Sequence, residues 1–78
     1  MSTRIDAFHA LSDHPWYGRL YRRLGQEYRE IALRELGPIA TLPRGEYETR
    51  INRLFLGTAQ NKKHHLIAEL LLSLRDVS

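Results

Sequence analysis

The sequence predicts an all-α domain: a small three- or four-helix bundle, with pairing of two chains as a way to complete it. Three observations lead there. Strand signals are nearly absent, since no β-branched run alternates with polar residues and no Asn-Gly or Asp-Gly turn occurs. Apolar residues recur instead at three- and four-residue spacing. Prolines and glycines fall between these periodic stretches, where helices start and stop. At 78 residues the chain is a single domain, 1–78, and a domain near this size buries only about 60–65% of its unfolded surface. It has no cysteine, which excludes disulfides, thiolate metal sites and cysteine catalysis. Helix packing or self-association must therefore supply the stability.

The first helix is expected over about residues 3–12, with Thr3 as N-cap and Asp6 completing a shortened capping box. Ile5, Phe8 and Leu11 would be its packing face. Asp13-His14-Pro15 reads as a stop and restart, His14 being a capping or packing residue of the junction. The second helix should run over about residues 15–36 and end at Gly37-Pro38. At 100° per residue, Trp16, Tyr17, Leu20, Tyr21, Leu24, Tyr28 and Ile31 form one core stripe about 140° wide. Beside it Gly18, Gly25 and Ala32 recur at heptad spacing, which would let another helix backbone come close.

Pro43 opens a third helix, about 43–57, with Thr41 or Leu42 at the capping position and Tyr47, Ile51, Leu54 and Phe55 as its stripe. Leu66, Ile67, Leu70, Leu71, Leu74 and Val77 make a further stripe. In one straight helix these last two stripes would point about 140° apart. A break near Gly57-Thr58 is therefore expected, with Thr58 or Asn61 capping a fourth helix over about 59–77.

The run Asn61-Lys62-Lys63-His64-His65 is the densest cluster of functional-looking side chains. Neighbouring helical residues diverge by about 100°, so His64 and His65 do not converge on one metal. Lys62, Lys63 and His64 at a helix start could meet a phosphate, but solvated first-turn cations are the simpler reading and the one preferred. No nucleophilic elbow, phosphate-cradling glycine loop or ligand spacing appears, so no catalytic residue, cofactor or metal is expected. Were there chemistry, His64, His65 and Glu69 would be the least poor candidates.

The net charge of +3, from 12 basic and 9 acidic residues, permits nucleic acid without requiring it. Arg19, Arg22, Arg23 and Arg29 cluster within about 120° on the outer face of the second helix, with Arg34 nearby. Leu33, Leu56 and Leu72 fall off their helices' stripes, which suits a homodimer or a docking surface. Neither a secretory signal nor an apolar run of about 18 residues is visible, so a cytoplasmic protein without a membrane span is expected. The first functional reading is a non-catalytic regulator, inhibitor or adaptor that binds another, acidic protein through these arginines and Leu72. The alternative is a nucleic-acid-binding module using the same arginines with Lys62, Lys63 and His64. Against it stand the missing helix-turn-helix pattern and the lack of exposed aromatics among the arginines.

Overall fold

A computed structural model describes residues 3–57 and 61–77. The described chain is wholly helical, in five α-helices. Helix α1 spans Arg4–Ala10 and tightens into a 3₁₀ turn at Leu11–Asp13. Thr3 caps it, its hydroxyl accepting from the Asp6 N–H at 3.0 Å. The buried stripe is Arg4, Phe8 and Leu11, not Ile5, Phe8 and Leu11. Both sets have helical spacing, and the structure selects the one with the arginine inside; Ile5 is 37% exposed and Arg4 only 3%.

Arg4 is the keystone of the fold. Its Nε donates to Leu74 O at 3.2 Å, Nη1 to Ala40 O at 3.1 Å and to Leu42 O, and Nη2 to Arg75 O at 2.8 Å. The guanidinium carbon lies 3.9 Å from the centroid of the Tyr47 ring. Among the described residues no carboxylate takes part. The compensation comes from carbonyls just past the C-terminal ends of two helices, where the partial charge is negative.

The expected helix over 15–36 is two helices, α2 (Tyr17–Leu24) and α3 (Gln26–Ile39). They part at Gly25, whose φ of 87° and ψ of 156° suit only a residue without a Cβ. The heptad of small residues thus splits into three roles. Gly18 is buried against the 3₁₀ turn, where an added Cβ would stand 3.0 Å from Ser12 O. Gly25 makes the break, and Ala32 fills the core. Helix α3 also runs through Gly37-Pro38 instead of ending there. A residue before proline resists the helical region because of its Cβ, and Gly37 has none.

Pro43, with φ −57° and ψ 155°, caps α4 (Arg44–Ile51) instead of opening it, its carbonyl accepting from Tyr47 N at 2.8 Å. The helix widens into a π turn over Asn52–Leu56. Tyr47, Ile51 and Phe55 stay buried at four-residue steps, while the changed winding turns Leu54 out to 40% exposure. Of the two proposed caps for the last helix, Thr58 lies outside the described residues. Asn61 caps α5 (Lys62–Leu72), its side chain accepting from Lys63 N at 2.8 Å.

Helix α5 is the centre of the bundle, packing on α2, α3, α4 and the π turn through Ile67, Leu70 and Leu71. A final turn returns Leu74 to the core. Tyr47 donates its hydroxyl to Leu71 O at 2.7 Å. Burial pushes this phenol up to about 12, with the Arg4 charge pulling the other way. No helix among the described residues is long and apolar enough to cross a membrane.

Candidate functional site

Helix α2 has 8 residues, as many as α4, and it is fastened at both ends by side chains. At its start, His14 Nδ1 accepts from the N–H groups of Trp16 at 3.0 Å and Tyr17 at 3.1 Å. His14 therefore does what its place before Pro15 suggested. At its end, the break at Gly25 leaves carbonyls without intrahelical donors. Arg29 Nη1 donates to Tyr21 O at 2.9 Å while its guanidinium lies over the Tyr21 ring. Lys63 Nζ, from α5, donates to Arg23 O and Leu24 O. A third cation, Arg22, reaches back to Ser12 O at 3.2 Å.

The break changes the arginine patch. Arg29 is half-buried on α3 and occupied with α2's carbonyl, so the exposed cations of the patch are Arg19, Arg22 and Arg23. Among the described residues the ion pairs are Arg44–Asp76 and Arg75–Glu48, and neither involves α2. Helix α2 carries no acidic residue of its own.

Trp16 joins the patch. The wheel placed it in the core, yet it is 59% exposed, the most exposed large apolar side chain described. Once Gly25 ends the helix, the inward line of α2 is Tyr17, Tyr21 and Leu24, which leaves Trp16 and Leu20 on the adjoining line. Trp16, Arg19, Leu20 and Arg23 line a shallow notch of about 160 Å³. Trp16 and Leu20 are four residues apart, as are Arg19 and Arg23, so an apolar row runs beside a cationic one. The signal in the sequence was Gly25 itself: a helix stopping there has too few turns to carry a seven-residue core stripe.

The other candidates do not gather here. Asn61 spends its side chain on its own helix cap and on Tyr28 Oη, 3.1 Å away. Lys63 is engaged with α2, and Lys62 is exposed. The ring of His64 meets Phe55 and Tyr28 edge-on at 6.0 and 6.4 Å, while His65 and Glu69 are exposed. Leu72 packs against the core, as does Leu33, and lines a shallow cleft with Tyr17, Glu69, Ser73, Arg75 and Asp76. None of the α2 arginines borders that cleft.

A larger apolar cleft of about 490 Å³ opens beside Arg4, between Ile5, Leu42, Pro43 and Val77. Arg4 already gives four N–H bonds to carbonyls there. The negative ends of α3 and α5 converge on the same place, which disfavours a further anion.

No family model matches the chain, and no curated protein or solved structure matches it either.

Proposed function

We propose that this domain binds another protein through the outer face of α2 and works as a regulator, inhibitor or adaptor without catalysis of its own. The observation that carries the reading is Trp16, 59% exposed beside Arg19 and Arg23, which pair with no carboxylate among the described residues. Tryptophan and arginine are the side chains most often found at the energetic centre of interfaces. Covering a large aromatic ring stabilises a complex strongly, and flanking charges set its rate and register. The partner that fits is an acidic surface or segment that places an apolar side chain against Trp16 and Leu20 and carboxylates against Arg19, Arg22 and Arg23. Arg29 and Lys63 support the face from behind. Leu72 belongs to it only if the partner extends to the cleft beside Tyr17. A second copy of the chain, expected from off-stripe leucines, would find Leu56 and Leu54 of the π turn exposed, and sedimentation velocity decides its presence.

The same face supports a second reading, because an exposed indole among arginines is also a stacking platform for single-stranded nucleic acid. Lys62 would then add a phosphate contact.

Trp16 is the single tryptophan, so its fluorescence reports on this face alone. The test titrates the chain with a short glutamate–leucine peptide, its glutamine–leucine counterpart, and duplex DNA, single-stranded DNA and RNA at about 50 and 200 mM salt. The glutamate peptide is expected to shift Trp16 emission, the glutamine peptide to do so more weakly, and Arg22→Glu with Arg23→Glu to abolish the response. Micromolar nucleic-acid binding with a steep salt slope, and silence toward the peptide, would refute the protein-binding reading in favour of the second.

A further inference from the structure

The cap that starts α2 is chemically unusual. Helices favour serine, threonine, aspartate or asparagine at this position, because their oxygens accept N–H bonds across the ordinary pH range. Here the accepting side chain belongs to His14, two residues ahead of Trp16 at the helix boundary. Its backbone is extended, at φ −74° and ψ 136°. Pro15 follows in the first turn, the His14 carbonyl accepts from Gly18 N at 3.0 Å, and Nδ1 receives the N–H groups of Trp16 and Tyr17.

A ring nitrogen accepts only through a free lone pair. The imidazole must therefore be neutral, with its proton on Nε2. A proton added at Nδ1 makes that atom a donor, leaves two donors facing it at about 3 Å, and sets a positive charge at the positive end of the helix. Every consequence of protonation runs against the cap.

We infer that His14 is a pH-sensitive latch on α2: neutral, it holds the helix start and the backbone of Trp16, and protonated, it releases both. Few ionisable groups lie around the ring. The cleft beside the ring is lined by Ala7 and Ala10 of α1, Leu11, Tyr17, and Ser73 and Leu74 after α5. Of these only Tyr17 is titratable, its ring 5.0 Å from that of His14. Asp13 adjoins His14 in the chain, Arg22 approaches no nearer than the carbonyl of Ser12 among its hydrogen bonds, and His9 offers the region its backbone carbonyl, to Ser12. The regulatory meaning, that acid weakens partner binding, rests on α2 being the docking helix. The latch does not.

The test uses the full chain and His14→Asn, which keeps a side-chain acceptor that does not titrate. In thermal unfolding, wild type should lose about 4–8 °C more than the variant between about pH 8 and about pH 5, as loss of one good cap implies. The amide resonances of Trp16 and Tyr17 should follow a histidine titration in wild type and not in the variant. Equal losses in both proteins would overturn the inference. The ¹⁵N shifts of the His14 ring in wild type decide the matter even if the variant folds poorly, since a ring protonated on Nδ1 at about pH 8 is incompatible with the cap. With the glutamate–leucine peptide, affinity should fall in acid for wild type more than for His14→Asn, and an equal fall would overturn the regulatory role. Peptide silence at both pH values would count against the docking reading alone, because melting and ring shifts need no partner.

Discussion

Replacing Arg4 by alanine is expected to destabilise the domain more than any change on the α2 face. The guanidinium is 3% exposed and holds the carbonyls of Ala40, Leu42, Leu74 and Arg75. It thereby joins the start of the chain to the ends of α3 and α5 and lies on the face of Tyr47. Hydrogen bonds from a charged donor contribute about 1.5–3 kcal/mol each, though bonds from one side chain are far from additive. Water can enter from the adjoining cleft of about 490 Å³ and recover part of the loss. The net cost should be about 3–5 kcal/mol, a large share of the roughly 5–10 kcal/mol that holds so small a domain together. Urea denaturation followed by circular dichroism reads this directly, and the melting temperature should fall by more than about 12 °C. Arg4→Lys keeps the charge but not the planar fork, so it should recover only part of the loss. If Arg4→Ala unfolds within about 1 kcal/mol of wild type, the guanidinium is not what closes the bundle.

Two further outcomes test the backbone and the core. Gly25→Ala should cost about 1–3 kcal/mol from its φ of 87° alone, since nothing stands within 4 Å of the added Cβ. Gly45→Ala, in equally open space inside α4 and without a positive φ, should stabilise by about 0.4–1 kcal/mol. Chemical denaturation of the two variants must therefore give opposite signs. Tyr47, with its hydroxyl pushed up from 10.0 to about 12, favours the neutral phenol in the folded state. That contribution is complete below pH 10 and is lost as pH rises through the folded value, amounting to about 2–3 kcal/mol at 1.36 kcal/mol per unit. Alkaline unfolding curves should show the loss in wild type and not in Tyr47→Phe, which starts out less stable because the Leu71 carbonyl loses its donor.

The helical class was legible because it depends on repeated signals: every long stretch has helical period, and caps such as Thr3 and Asn61 act locally. The two stripes of residues 43–77 told of separate packing directions, and α4 and α5 do divide there. What a wheel cannot show is where a helix bends. Gly25 is tolerable in a straight helix at about 1 kcal/mol, and only contacts from Arg29 and Lys63, the latter distant in sequence, make the break the better solution. That one error moved Trp16 from the surface into the core and Arg29 from the core edge onto the surface. Arg4 was illegible for a different reason. A charged side chain is almost never buried unless something satisfies it, and the groups that satisfy Arg4 are backbone carbonyls 36 to 71 residues away, which no side-chain pattern marks.

The residues that sequence reasoning offered as contacts and the structure gives to α2's own carbonyls still bear on binding. A helix of 8 residues is too short to persist alone in water, so its geometry depends on its fastenings. His14 takes up the first free N–H groups, Arg29 and Lys63 occupy the last carbonyls, Arg22 ties one side to Ser12, and Gly18 lies against Leu11 and Ser12. An exposed tryptophan on a frayed end would have to be ordered at the moment of association, and that ordering weakens binding. Trp16 instead stands on a backbone already held, beside two arginines whose spacing the same helix fixes. The cations behind α2 thus act on recognition through rigidity, whereas those on its outer face act through charge, and exchanging lysine for methionine in the first group or glutamate for arginine in the second would disturb binding by different routes.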